Sequence, residues 1–346
     1  MQVYTSLPYT DLRQVTDAAR SVEAAGYDGV SVPENKHDPF LPLAVAAVAT
    51  ESLQLATGVA ISFPRSPMVA ANVGWDLQRA SNGRFELGLG SQVKGHNQRR
   101  FSVPWPTEPG AGPAPRMQEY VEAVRAIWDC WVTGDDLSYG GDHYSFSLMT
   151  PNFRPDPLDG PPPRITIAAV GPAMLRVAGR VCDGVRLHPF CTRDYLERQI
   201  LPEVQAGLDQ RGRPRENFVI SGGGFICTGP DDEAVASAVE WVRYRVGFYG
   251  STRAYWPVFA EHDLLDLGQE LNHLSKNDGW DQMAGLIDDD VVRLFAAVGR
   301  HDEIADEIAT RLGGVCDAVG TNVLPGAEEL PPDVIQDIQR IPTVAA

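Results

Sequence analysis

The feature that most constrains the fold is an alternation of short apolar, β-branched runs with stretches of helical spacing, sustained along most of the chain. Val3–Leu7, Asp28–Val32 and Leu53–Ile61 read as strands. Between them lie a helix capped by Asp11 and stopped at Gly26, and a second from about Pro42 to Thr50. The passage from Ala56 to Ser91 repeats the unit. Phe63-Pro64 and Ser66-Pro67 break the third strand, Val69–Ala80 has helical spacing, Gly83 closes the helix and Phe85–Leu89 starts a fourth strand. Gly58, Gly88 and Gly90 remove side chains where these strands end, either to let a flat ligand approach the backbone or only to ease packing and turns.

The Pro- and Gly-rich stretch QVKGHNQRRFSVPWPTEPGAGPAP that follows is poor material for a regular element. Met117–Val132 is an amphipathic helix with Val121, Val124, Ile127, Trp128 and Trp131 on one face, and Thr133 to Pro163 is an irregular excursion. Alternation then resumes with strand Arg164–Ala169, helix Pro172–Arg180, strand Asp183–Leu187, helix Arg193–Gln210, strand Phe218–Cys227 and helix Asp231–Val246. A helical insertion from Gly247 to about Val298 precedes a last helix, Asp302–Arg311, and a last strand, Val315–Thr321. Eight strands, all but the last followed by a helix, predict an α/β fold of one domain over 1–346. It is a closed (β/α)8 TIM barrel with insertions after strands four and seven, ahead of an open doubly wound sheet. In such a barrel the site is built from loops at the C-terminal ends of the strands.

The net charge of −17 sets the field of the whole molecule against nucleic acid and anionic membrane surfaces, so a phosphate-bearing ligand has to be held by local groups. Apolar runs such as Leu41–Ala49 are too short to span a bilayer, and the N-terminus lacks the pattern of a signal peptide. Cys130, Cys182, Cys191, Cys227 and Cys316 are scattered and odd in number, which predicts reduced thiols and a cytoplasmic protein. No metal-ligand spacing, nucleophile elbow, Walker loop or Gly-x-Gly-x-x-Gly fingerprint is present.

Three constellations carry possible chemistry. Glu34-Asn35-Lys36-His37-Asp38 directly follows the second strand, and His37 can take or give a proton near neutral pH. In Val170-Gly171-Pro172-Ala173-Met174 a strand end passes through glycine into a proline-started helix, whose exposed amides suit phosphate. Lys94, His96, Arg99 and Arg100, together with Arg65, form a basic group in an acidic chain, on what is expected to be the same rim. His188 and Phe190 after the sixth strand, and Tyr255 and Trp256 in the insertion, are candidates for a substrate wall, if they are more than ordinary packing.

With AAGYDGVSVPENKHDPF at 24–40, LATGVAISFPRSP at 55–67, SNGRFELGLGS at 81–91 and GPAMLRVAGRVCDGV at 171–185, the chain resembles the luciferase-like monooxygenase superfamily. Within it, the resemblance is to oxidoreductases dependent on the deazaflavin coenzyme F420. It implies a (β/α)8 barrel with the ring at the strands' C-terminal ends and a non-proline cis peptide after strand three, which falls here on Gly58-Val59. It also implies a cofactor contact at Ser91, a phosphate turn at Val170, Gly171 and Met174, and a homodimer. Many relatives carry an acidic residue followed at once by His after strand two. This chain has Glu34 followed by Asn35, with His37 two positions later. Either His37 handles the proton through a different loop shape, which is the favoured reading, or Asn35 only hydrogen-bonds the ring or substrate.

The expected activity is hydride transfer between F420 and a small organic substrate. The alternative is an FMN-dependent monooxygenase supplied by a partner flavin reductase, and an alternative of another class is a non-catalytic flavin-binding barrel. The run at 94–100 favours the deazaflavin, whose tail carries several carboxylates.

Overall fold

Asp11 accepts a hydrogen bond from the Arg13 amide and opens a 3-10 turn that runs into helix Val15–Ala25, and Gly26, at φ 92°, ends it in the left-handed region. Ser66 caps helix Pro67–Ala80 in the same way, with Pro67 in the first turn where its missing amide costs nothing. Such punctuation is what delivers the chain from one strand to the next. The computed structural model describes residues 1–106, 112–321 and 329–345.

The fold is a (β/α)8 barrel, with parallel strands alternating with helices in chain order. The chain divides into two compact units, one of Ser6–Arg186 with Glu203–Phe218, the other of Met1–Thr5, Leu187–Pro202 and Val219–Ala346. In the first, strand Gly29–Val32 runs parallel to Gln54–Thr57, with Val32 opposite Thr57, and Leu55 of that strand lies opposite Phe85 of strand Phe85–Gly90. Phe85–Gly90 in turn places Glu86 opposite Arg164 and Leu89 opposite Ile167 of strand Arg164–Ala169. Helix Pro113–Thr133 buries the whole expected face, Val121, Val124, Ile127, Trp128 and Trp131. Trp128 also donates its indole N–H to the Ala71 carbonyl at 3.1 Å. In the second unit, Val3 lies opposite Val319 in the pairing of Gln2–Thr5 with Ala318–Gly320, and Ser221 lies opposite Ala318.

Several elements depart from the sequence expectation. The third strand is two, Gln54–Thr57 and Ala60–Ile61, separated at Gly58-Val59. The seventh is also two: Val219–Ser221 stays with the barrel, while Phe225–Cys227 pairs with Ala296–Val298, a strand that the aromatic insertion concealed. Between the two halves, Gly222 and Gly223 take φ of 87° and 109°, a conformation that no β-branched strand residue holds cheaply. The loop after the fourth strand contains a short helix, Lys94–Arg99, which its glycine and proline content obscured, and its residues 107–111 lie outside the described chain. Helix Pro332–Gln339 was not anticipated at all.

Asp183, just before strand Gly184–Leu187, accepts from the Ile165 amide at 2.9 Å and pairs with Arg125 at 2.7 Å and Arg213 at 3.1 Å. Burial pushes its carboxyl up, but the two guanidiniums and the amide more than reverse this and leave it below the ordinary range. A group depressed in the folded state stabilises above its unfolded pKa and loses that contribution as pH falls through the folded one. Asp183→Asn is therefore expected to cost about 3 kcal/mol at pH 7, with the gap to the parent closing below about pH 4 in urea titrations run at several pH values.

Candidate functional site at the strand ends

The peptide bond between Gly58 and Val59 is cis, as the resemblance implies. Around it, the three glycines of the opening stretch pack against protein. A Cβ on Gly58 would lie 1.9 Å from Ser31 Oγ, one on Gly88 would lie 2.0 Å from the Thr57 carbonyl oxygen, and one on Gly90 would lie 2.5 Å from Val59 Cγ2. Of the two readings open from sequence, packing is the one these positions support. Thr57 and Ser62 stitch the same edges together. Thr57 Oγ1 donates to the Gly88 carbonyl at 2.6 Å and accepts from the Gly88 amide at 2.9 Å, and Ser62 Oγ donates to the Gly90 carbonyl at 2.9 Å.

Glu34 is bound into this turn. Its amide donates to the Val59 carbonyl at 3.3 Å, and its carboxylate accepts from the Ile61 amide at 2.7 Å and from Arg65 at 2.6 Å. Arg65 reaches Asp38 as well, at 3.0 Å. Burial lowers the Arg65 pKa, but the two carboxylates outweigh it and leave the guanidinium raised. Arg65 is therefore neutralised locally and does not join the basic run. Arg100 alone of that run bonds to this loop, donating to the Asn35 carbonyl. Lys94, His96 and Arg99 are exposed on the short helix.

Asn35 donates to the Tyr9 hydroxyl at 3.3 Å and its own Oδ1 accepts from the Lys36 amide, so its side chain is occupied locally. His37 is exposed, and its ring meets the Tyr9 ring edge-on with centroids 6.2 Å apart. Ser91 follows the fourth strand and is held by Asn97, a fully buried side chain that donates to the Ser91 carbonyl at 2.8 Å. Val170 and Gly171 lie at the end of strand Arg164–Ala169, and the Met174 amide donates to the Gly171 carbonyl at 3.1 Å. Gly171 differs from the three packed glycines. A Cβ there would meet nothing within 4 Å, and helix Pro172–Val181 starts behind it with no side-chain cap. Residues 171–173 are exposed; Pro172 has no N–H and the Met174 and Leu175 amides both donate to the Gly171 carbonyl, so Ala173 carries the free amide at this helix start among the described residues.

Sequence reasoning missed the polar layer beneath the cis bond. Arg186 pairs with Glu86 at 2.5 Å and donates to Thr166 Oγ1 at 3.1 Å and Ser31 Oγ at 3.2 Å, while Thr166 Oγ1 donates to Glu86 at 2.9 Å. The available signal was Glu86 itself, a carboxylate in FELGLG, a strand buried at every position.

In the second unit, His188 follows strand Gly184–Leu187, its ring 4.4 Å from that of Tyr249 and 4.7 Å from that of Tyr255. Phe190 is buried and stacked on Phe295 at 4.3 Å, and Trp256 donates its indole N–H to the Gly250 carbonyl at 3.1 Å. Phe190 also meets the rings of Tyr249 and Tyr255, at 6.4 and 5.5 Å, so His188, Phe190 and Tyr255 come together with Tyr249, while Trp256 is bonded to the Gly250 carbonyl.

The luciferase-like monooxygenase family model matches residues 2–315. The chain belongs to that family. It is 43% identical over 335 residues to an uncharacterized protein of Mycobacterium tuberculosis, covering 97% of each chain. Its fold is that of the coenzyme F420 dependent tetrahydromethanopterin reductase from Methanopyrus kandleri, with a TM-score of 0.75 at 19% identity over 99% of this chain and 97% of that one. It is also similar to the oxygenating constituent of 3,6-diketocamphane monooxygenase from Pseudomonas putida, solved in complex with FMN, with a TM-score of 0.66 at 17% identity over 99% and 98% of the two chains. An F420-dependent enzyme and an FMN-binding enzyme thus share this fold. Among the described residues no helix is long and apolar enough to cross a membrane, and no cluster of His, Cys, Asp or Glu could hold a metal ion.

Proposed function

We propose that this protein is an oxidoreductase that binds coenzyme F420 and exchanges hydride between it and a small organic substrate, acting as a single barrel domain in a homodimer. The observation that carries the binding site is the open Gly171 in front of an uncapped helix N-terminus, beside packed glycines that leave no such room. That turn suits a phosphate, which the exposed Ala173 amide and the positive end of the helix dipole receive in place of a side-chain cap. Lys94 and Arg99 are exposed cations suited to a carboxylate-bearing tail, the feature that favours the deazaflavin over FMN. When bound, the deazaflavin supplies the hydride chemistry. The chain's own work is to position and to move one proton. Glu34 and Arg65 fix the turn at Val59 and Ile61, Ser91 is presented by Asn97, and Asn35 orients its loop through Tyr9. His37 and Lys36 are the titratable side chains of that loop left without a hydrogen bond among the described residues, and of the two side-chain types imidazole is the one suited to exchanging a proton near neutral pH.

The deciding experiment is a fluorescence titration of the purified protein with oxidised and reduced F420 and with FMN. Tight binding of F420 is expected; binding of FMN alone overturns the reading in favour of the two-component monooxygenase. Tight F420 binding with no turnover against any electron acceptor points to the non-catalytic barrel. Gly171→Val tests the turn, because a Cβ there meets no protein atom within 4 Å. It is expected to weaken cofactor binding about tenfold, the worth of about one hydrogen bond to a charged group, with the melting temperature unchanged. Equal loss of stability and affinity would show that Gly171 serves packing. His37→Ala is expected to slow turnover about 100-fold without changing the cofactor's Kd, and unchanged turnover removes His37 as the proton-transfer group.

A further inference from the structure

The second unit holds a histidine whose protonation is fixed by its contacts. The Phe190 amide donates to His188 Nδ1 at 3.0 Å, so that nitrogen must be the unprotonated one and the ring proton sits on Nε2. Tyr249 meets the imidazole edge-on and Tyr255 lies tilted across it, so the ring cannot turn over without displacing an aromatic neighbour. Nε2 makes no hydrogen bond among the described residues, although the buried side-chain nitrogens and oxygens without partners do not include it. It is therefore an oriented donor with some access to its surroundings. His188 directly follows strand Gly184–Leu187, at the end of a barrel strand where folds of this class carry their chemistry.

We propose that His188 acts as a neutral hydrogen-bond donor, through Nε2–H, to an oxygen of the organic substrate, with Tyr249 and Tyr255 as the aromatic walls beside it. The inference deepens the oxidoreductase reading and takes from it only that an organic substrate binds. It narrows the substrate class to molecules that present an accepting oxygen beside the aromatic walls, as ketones, aldehydes and alcohols do. A partly buried, oriented donor of this kind selects against the hydrocarbon analogue, because without an oxygen opposite it the N–H loses its partner when the site closes over the ligand. The charged and titratable groups facing the ring are consistent with a neutral imidazole. Burial, and secondarily the charge of Arg245, pull its pKa down to about 4. Arg245 itself lies over the Tyr249 ring at 4.6 Å and donates to the Tyr249 hydroxyl. Burial raises both phenols, Tyr255 to about 12, so neither ionises near neutrality.

Nitrogen-15 NMR of the full chain labelled at histidine tests this, with and without F420. The expected result is an Nε2–H tautomer for His188 that does not titrate between about pH 5 and 8, and movement of its Nε2 and Hε2 resonances on addition of acetone, cyclohexanone or cyclohexanol but not of methylenecyclohexane. His188→Phe, which keeps the ring packing, is expected to weaken cyclohexanone binding about tenfold, and His188→Gln, which keeps a donor, to restore most of it. An Nδ1–H tautomer, a His188 that titrates near neutrality, or no response to any of the oxygenated probes overturns the proposal. So does a His188→Phe protein that binds cyclohexanone as tightly as the parent. Because the tautomer and probe measurements are also made without F420, failure of the cofactor reading leaves them independently decided.

Discussion

Gly88→Ala is expected to cost about 4 kcal/mol of folding stability, the largest effect of any single methyl group at the strand ends. The added Cβ would stand 2.0 Å from the Thr57 carbonyl oxygen and 2.9 Å from Arg186 Nε. Relief would require the two strands to separate, because the obstacle on one side is backbone. That backbone is pinned: Thr57 Oγ1 is bonded both to the Gly88 amide, at 2.9 Å, and to the Gly88 carbonyl, at 2.6 Å. On the other side the guanidinium is held against Glu86 at 2.5 Å, so it cannot swing away without leaving a buried carboxylate with only Thr166 and the half-exposed Arg164. Overpacking ordinarily costs about 1–3 kcal/mol where side chains can give way, and here neither neighbour can. Gly171→Ala provides the contrast, since its Cβ meets nothing within 4 Å. Urea unfolding of the two variants should separate them clearly. A Gly88→Ala protein within about 1 kcal/mol of the parent would show that the strands shift apart easily.

This contrast also marks how far the sequence could be read. Strand–helix alternation, the helix cap at Asp11, the strand break at Ser66-Pro67 and the stop at Gly26 are local signals, each set by a few residues, and they delivered the barrel. The breaks at Gly58-Val59 and Gly222-Gly223 are decided by what lies beside the chain, so runs of β-branched residues looked continuous across them. At the candidate site, position after a strand was legible for Glu34, Asn35, His37, Ser91 and Gly171, but partnership was not. Arg65 is expected on the same rim as the basic run, yet Glu34 and Asp38 claim it. Glu34 looks like an acid or base, yet its carboxylate is spent on Ile61 and Arg65. Gly58, Gly88, Gly90 and Gly171 look alike in a sequence, and only the atoms facing each one tell a packed glycine from an open one.

Arg186→Met is expected to lower stability by about 3–5 kcal/mol. Glu86 and Arg186 are 9% and 14% exposed, so the pair is largely withdrawn from water, and Arg186 also satisfies Thr166 and Ser31. Methionine replaces much of the volume but leaves the Glu86 carboxylate with Thr166 and the half-exposed Arg164, 3.5 Å away. Most of the cost is that abandoned charge rather than the worth of the ion pair, which a second substitution exposes. Glu86→Leu with Arg186→Met removes both charges and is expected to recover at least about half of the loss. Urea midpoints of the two single variants and the double variant form the cycle, and a double variant as unstable as the sum of the singles would refute this account. The same proteins bear on why a barrel interior keeps such a pair. Arg186 Nη1 lies 3.7 Å from where a Cβ on Gly58 would stand, and Ser31 Oγ, which Arg186 holds, lies closer still, so the polar layer is the floor of the turn that Glu34 grips from above. If its role is to set that turn, the double variant regains stability while affinity for the proposed cofactor stays weakened about tenfold. If the layer is only an inherited packing solution, affinity returns together with stability.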